Sequence, residues 1–276
     1  MTNALPPLRE VIAKYDLGAK KALGQHFLLD LNLTAKIARA ANVGEGDIVL
    51  EIGPGPGGLT RALMEAGAAL TVIERDARCI AALEEIADAF PARLTIIEGD
   101  AMAADERAIA NGATIKIVAN LPYNISTELL IKWLRANHHR APPLWSMMAL
   151  MFQKEVADRI LAPPGTKTYG RLSVLAQAAS RPSRAFNLPA SAFTPPPKVA
   201  SAVVTFLPAA APLDDIKRLE RVTQFAFSQR RKMLRSSLKG MWGDEVEAVL
   251  DACGIEPTRR AEELSVDDYL RLAAHA

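Results

Sequence analysis

Runs of β-branched and aliphatic residues alternate with amphipathic stretches through the N-terminal part of the chain. Asp47-Ile48-Val49-Leu50-Glu51-Ile52, Leu70-Thr71-Val72-Ile73-Glu74, Leu94-Thr95-Ile96-Ile97 and Thr114-Ile115-Lys116-Ile117-Val118 each predict a short buried strand. Between them apolar residues recur at helical spacing, as at Ile80, Leu83 and Ile86. A capped helix ahead of the first strand is predicted to set Leu31, Leu33, Ile37, Ala38 and Ala41 on one face and to close at Gly44 and Gly46. Residues 1–20 mix charges without a period and predict irregular chain. Trp145 to Phe152 predicts a fifth strand, Arg159 to Lys167 a loop rich in Pro and Gly, and the clean alternation from Val199 to Phe206 another strand. Strands alternating with amphipathic helices predict a doubly wound, mostly parallel α/β sheet. Pro208-Ala209-Ala210-Ala211-Pro212 predicts a linker, and beyond it the pattern is helical, through Leu250, Leu264 and Leu270. A boundary at 207 then divides an α/β domain, 1–207, from a small all-helical domain, 208–276.

Composition narrows the class without changing this architecture. With 276 residues, 50% hydrophobic and 23% charged, the chain has the make-up of a soluble globular protein with a sizeable core. No apolar run approaches the ~20 residues that span a bilayer, and Met1 to Pro7 lacks the basic and apolar segments of a secretory signal. Cys79 and Cys253 sit far apart without Cys-x-x-Cys spacing, which points to a reducing compartment. His26, His138, His139 and His275 make no metal-ligand pattern, so no metal is expected. The net charge of +2 is unevenly placed. Between Lys217 and Lys239 eight Lys and Arg face one acid, Glu220, a local excess of seven that leaves the rest of the chain at −5. A basic segment on a near-neutral protein predicts a polyanionic partner; the rival reading is a solvated helix face.

The chemistry gathers where strands end. Asn120-Leu121-Pro122-Tyr123 follows the fourth strand and precedes Ile125 to Ile131, which predicts a helix with a Ser or Thr cap. It therefore sits on the rim where open α/β sheets bind ligands. It offers a side-chain amide, a stiff Leu-Pro carbonyl pair and an aromatic face. Two acceptors and a stacking ring are what an exocyclic amine on a base requires. Acceptors off the ring plane draw an adenine N6 toward a tetrahedral shape and free its lone pair. Phe193, in a proline-rich loop, is a candidate second face for the base, or a plain core residue. Gly53-Pro54-Gly55-Pro56-Gly57-Gly58, after the first strand, fits Gly-x-Gly-x-x-Gly, and Glu74 lies where a dinucleotide fold places its ribose acid. Pro54 and Pro56 lack N–H groups that a pyrophosphate would use. A ligand without phosphate, such as S-adenosylmethionine, loses nothing by this. Asp100, after the third strand, suits an adenine contact. A dinucleotide and a methyl donor both remain open on these residues.

Gly24-Gln25-His26-Phe27-Leu28, Glu51-Ile52-Gly53-Pro54-Gly55, Asn120-Leu121-Pro122-Tyr123-Asn124-Ile125-Ser126, Phe193-Thr194-Pro195-Pro196-Pro197-Lys198-Val199 and Phe227-Ser228-Gln229-Arg230-Arg231-Lys232-Met233-Leu234-Arg235 together resemble the small-subunit ribosomal RNA adenine dimethyltransferases. The resemblance runs from about residue 20 to 270. It implies a Rossmann-like class I S-adenosylmethionine-dependent methyltransferase domain with a helical C-terminal domain. It implies transfer of methyls to N6 of two adjacent adenosines in a hairpin loop near the 3′ end of 16S rRNA in the 30S subunit. The expected enzyme is cytoplasmic, monomeric and free of membrane and metal. Donor contacts carry over to His26, Leu28, Gly53, Gly55, Glu74, Asp100 and Asn120. Asn120, Leu121, Pro122 and Tyr123 would hold the target adenine with Phe193 stacked on it, and Arg230, Arg231, Lys232 and Arg235 would contact RNA phosphates. The family often has Asn where this chain has His26. The large-subunit macrolide-resistance methyltransferases share the α/β half, and a non-catalytic assembly factor could keep the fold.

Overall fold

The β-branched runs of the sheet interior are mostly buried, covered by the helices between them, whereas Leu94–Glu98, expected as a buried strand, is the sheet's edge and has no buried residue. A computed structural model describes residues 5–18, 25–137, 142–211, 213 and 215–276. The Lys20 to Gly24 stretch, His138, His139 and the linker's Pro212 lie outside them. In chain order the elements are α1 (Leu8–Lys14), β1 (Phe27–Leu28), α2 (Leu31–Ala40), β2 (Ile48–Ile52), α3 (Gly58–Glu65), β3 (Ala69–Glu74), α4 (Ala77–Ala89), β4 (Leu94–Glu98) and α5 (Glu106–Ala110). Then come β5 (Ile115–Ala119), α6 (Ser126–Ala136), β6 (Trp145–Gln153), α7 (Lys154–Ile160), α8 (Arg171–Ala179), β7 (Ser180–Leu188), β8 (Phe193–Thr194) and β9 (Ser201–Pro208). The C-terminal part holds α9 (Ile216–Ser228), α10 (Leu234–Ser237), α11 (Lys239–Trp242), α12 (Val246–Ala252) and α13 (Val266–Ala274).

Seven strands form one sheet in the order β4-β3-β2-β5-β6-β9-β7. The first five run parallel, and β9 is antiparallel to β6. The chain steps outward from β2 through β3 to β4, then returns to place β5 on the other side of β2. The switch point, and with it the ligand crevice, lies between the ends of β2 and β5. Beneath the crevice Val49, Leu63, Val72, Leu83, Ile86 and Val118 are buried in one core cluster.

Two expected features differ. Leu8–Lys14 is helical although residues 1–20 predict irregular chain. Leu31 is exposed: Asp30 caps α2, accepting from Asn32 N at 2.8 Å, and Thr34 is buried with Ile37, Ala38 and Ala41 of the expected face. The chain forms two compact units. One comprises 1–130, 142–154 and 183–207; the other comprises 131–141, 155–182 and 208–276. The second unit thus takes segments that lie ahead of a linear boundary at 207. Within it Phe227 stacks on Tyr269, with Tyr169 edge-on, and α9 packs against α8 and α13.

Candidate functional site

The glycine loop closes on itself. Gly53 N–H donates to Ile73 O at 2.9 Å, Gly55 N–H to Glu74 Oε2 at 2.9 Å, and Gly57 N–H to Pro54 O at 3.0 Å. Pro54 and Pro56 have none to give. The loop up to the start of α3 therefore turns no donor toward a pyrophosphate, which counts against the dinucleotide reading. Gly55 has φ +55°, and an added Cβ would stand 2.9 Å from Phe27 Cε1. Gly57 has φ +85°, where a Cβ would meet Ile86 Cδ1 at 2.2 Å. Both positions require glycine.

The pocket over this loop is lined by Gln25 to Leu28, by Glu51 to Pro56, by Glu74 and Arg75, by Gly99 to Met102 and by Asn120 to Ile125, among others. Each of His26, Leu28, Gly53, Gly55, Glu74, Asp100, Asn120, Leu121, Pro122 and Tyr123 is there. Glu74 accepts Gly55 N–H and, at 2.8 Å, Asp76 N–H. The Arg75 N–H also bonds it; a carboxylate has about four acceptor positions, so about one stays open to a ligand hydroxyl. Burial raises its pKa, against those backbone bonds. Asp100 is exposed, accepts Met102 N–H at 2.9 Å and faces Arg75 Nη1 at 3.6 Å.

At the end of β5 the Asn120 to Tyr123 turn is held by several hydrogen bonds. Asn120 Nδ2 donates to the main-chain oxygen of His26 at 3.0 Å. That bond fixes which way the amide faces and leaves Oδ1 as its acceptor. Pro122 O accepts from Ile125 N at 3.2 Å and Tyr123 O from Ser126 Oγ at 3.1 Å. Among the described residues no donor reaches Leu121 O. The Tyr123 hydroxyl pairs with that of Ser201. Burial lifts its pKa and keeps the phenol neutral near pH 7, with the Ser201 bond opposing.

Phe193 is not in the pocket lining. It is 3% exposed, belongs to the core cluster, and sits in β8 opposite Leu28. Its aromatic bulk is satisfied by packing, and the ring that stands against Tyr123 is His26. Arg230 also departs from expectation. Its guanidinium is spent on Glu262, on Lys167 O at 2.7 Å and on Thr166 O at 3.1 Å. Arg231, Lys232 and Arg235 are exposed, with Glu247 3.8 Å from Arg235.

Two residues of the site carried only a partial signal in the sequence. Glu51 lies in the first expected strand and in the Glu51 to Gly55 motif, neither of which marks its carboxyl as buried: it is 1% exposed, accepts from Thr60 Oγ1 at 2.8 Å, and desolvation raises its pKa to about 8. Ser201 had no motif beyond the β9 alternation. Among the described residues no group of three His, Cys, Asp or Glu side chains converges as a metal site.

Comparison with known proteins agrees with this geometry. A family model described as Ribosomal RNA adenine dimethylase matches residues 17–276. A ribosomal RNA small subunit methyltransferase A of Chelativorans sp. (strain BNC1) is 58% identical over 274 residues, covering 98% of each chain. Its counterpart of Mesorhizobium japonicum is 55% identical over 277 residues, again covering 98% of each. Among solved structures, a dimethyladenosine transferase from Plasmodium falciparum superposes with a TM-score of 0.77 at 28% identity, covering 90% of this chain and 96% of that one. The 23S rRNA methyltransferase ErmE gives 0.68 at 26%, covering 90% and 98%. This chain, a methyltransferase with the glycine loop and the Asn120 to Tyr123 rim in one crevice, belongs to the ribosomal RNA adenine dimethylase family.

Proposed function

We propose that this chain dimethylates N6 of two adjacent adenosines in the hairpin loop near the 3′ end of 16S rRNA, within the 30S particle, using S-adenosylmethionine. It acts in the cytoplasm as a monomer. The observation that carries the reading is the Asn120 amide, locked by its bond to His26 O with Oδ1 left to accept. The pocket suits the donor on two counts: a loop without free pyrophosphate donors ahead of α3, and a buried carboxylate, Glu74, with about one acceptor position to spare. S-adenosylmethionine, when bound, supplies a methyl group on a positively charged sulfur. Glu74 would take its ribose hydroxyls, Gly53 and Gly55 would let the main chain pass beside it, and Asp100 would meet its adenine.

In the first transfer Asn120 Oδ1 and Leu121 O accept the two N6 hydrogens of the target adenosine; in the second one hydrogen remains, held by one of these acceptors. Tyr123 offers a neutral ring for the base to stack on. With its hydrogens so held, the nitrogen lone pair points to the donor side of the crevice, and the gain is mostly one of positioning. A base gripped this way must come out of its stack or from an unstacked loop. Arg231, Lys232 and Arg235 contact phosphates.

The deciding experiment adds labelled S-adenosylmethionine to unmethylated 30S and 50S particles in parallel, with nucleoside analysis of the product. Dimethyladenosine from 30S alone is expected. Label confined to 50S would make this a large-subunit enzyme of the kind ErmE represents. No label in either, with tight 30S binding, would make it a binding factor. Asn120→Ala should lose transfer, about a hundredfold or more, with its unfolding midpoint unchanged; a wild-type rate would sink the amine-holding mechanism.

A further inference from the structure

His26 lies where three of the motifs meet. Its main-chain oxygen accepts from Asn120. Its ring centroid is 5.6 Å from that of Tyr123, with the planes 30° apart. Its Nδ1 is 2.8 Å from the carbonyl oxygen of Pro195. A carbonyl only accepts, so the hydrogen there is on Nδ1. The chain beside the ring is fixed by strand pairing, Phe27 opposite Thr194 and Leu28 opposite Phe193. Tyr123 is tied at its far end by the Ser201 hydroxyl. A tyrosine with its hydroxyl tied keeps one soft freedom, rotation of the ring plane, because that torsion has a broad well. A flat ring against one face removes it.

We propose that the His26 imidazole is a positioning residue for the target base: it sets the plane of the Tyr123 ring and so the surface on which the adenine stacks. The proposal rests on the function put forward above and deepens it. The resemblance assigns residue 26 to the methyl donor. In this chain the side chain is turned to the acceptor side, toward Tyr123 and the proline-rich loop. The residue 26 side chain acts through Tyr123, and the donor is held by the glycine loop, Glu74 and Asp100. The Asn120 tie uses the main chain of residue 26, so changing the side chain leaves it in place.

The test uses wild type, His26→Ala, His26→Phe, Tyr123→Leu and the His26→Ala/Tyr123→Leu double variant. Two quantities are read: the Kd of S-adenosylhomocysteine by calorimetry without RNA, and the single-turnover methylation rate on unmethylated 30S particles at saturating donor. His26→Ala should keep the Kd within about twofold and slow the rate about tenfold, the ratio that the upper end of an aromatic pair's contribution corresponds to. His26→Phe, which keeps a flat ring, should stay within about threefold of wild type. In the Tyr123→Leu background the Ala change should cost less than about twofold, because nothing is left to orient. A Kd weakened about tenfold with the saturated rate unchanged would return residue 26 to direct donor contact. A Phe variant as slow as Ala, or an equal Ala effect without Tyr123, would also overturn the proposal. If the Ala variant unfolds early, His26→Leu, similar in bulk without a flat ring, takes its place. If Tyr123→Leu is too slow to time, the Kd and the Phe comparison decide. Wild-type enzyme that leaves 30S particles unlabelled would sink the function itself, a result separate from any difference among variants.

Discussion

Glu51→Gln should make the protein more stable, and increasingly so as the pH rises. Glu51 is next to last in β2, with its carboxyl buried, one bond from Thr60 Oγ1, and the Glu74 carboxyl close enough to repel it. Its pKa rises from an ordinary 4.5 to about 8, with desolvation the main cause. The folded state therefore holds this proton more tightly than the unfolded chain does. Between pH 4.5 and 8 the unfolded chain ionises and gains free energy that the folded chain does not, so stability falls through that window and levels off above it. At ~1.36 kcal/mol per pKa unit the cost is on the order of 3 kcal/mol at pH 7 and approaches about 5 kcal/mol above pH 8. Glutamine has the same shape, has no proton to lose, and keeps the bond from Thr60. The variant and the wild type should match near pH 5 and diverge above it. In thermal unfolding a gap of ~3 kcal/mol appears as roughly 6–12 °C. Midpoints that run parallel from pH 5.5 to 8.5 would show that the carboxyl is not held neutral in the fold. A second readout lies in the pocket, which Glu51 lines. A cationic ligand there favours the ionised carboxyl, so wild-type affinity for the sulfonium donor should rise across this window and that of Glu51→Gln should stay flat.

Gly55→Ala forces a side chain into φ +55° and against the Phe27 ring, so donor affinity measured by calorimetry should fall by about tenfold or more. Arg230→Ala cuts the ties to Glu262, Thr166 and Lys167 and should destabilise the helical unit by about 1–2 kcal/mol, discounted for its part exposure, while leaving the salt dependence of RNA binding unchanged. Arg231→Ala with Lys232→Ala should weaken 30S binding and flatten its log–log salt slope by about 1.5. An unchanged slope would return those side chains to an ordinary solvated face.

What could be read from the sequence was what short-range physics dictates. The strands β2 to β5 are β-branched runs between glycine and polar breaks, and each delivers its last residues to one rim whatever the rest of the chain does. The Asn120 to Tyr123 turn is legible for the same reason. α1 was not legible, because its order comes from partners far along the chain: Arg61 Nη1 donates to Pro6 O at 2.6 Å, and Glu85 accepts from Lys14 and from Tyr15. β7 was missed because Arg181, Pro182 and Arg184 argue against a strand. As the edge of the sheet it can hold a proline, and its outer positions are exposed. Phe193 and Arg230 show the other limit. A motif fixes the residue type, and only packing decides whether an aromatic ring faces a ligand or the core, or whether a guanidinium meets a phosphate or groups elsewhere in its own chain.

The same distinction separates main-chain from side-chain dependence in the site. Asn120, the proposed amine-holding residue, is oriented by a backbone oxygen, that of His26, which no substitution at position 26 removes. Tyr123 is oriented by two side chains, His26 and Ser201, each of which a substitution can remove. The acceptor amide should therefore tolerate change around it, and the stacking ring should not. Variation at residue 26 should shift how well a base is seated without touching how its amine is held. This is why an Asn120 variant should lose the reaction outright, whereas His26 variants should form a graded series ranked by the flatness of the replacement side chain.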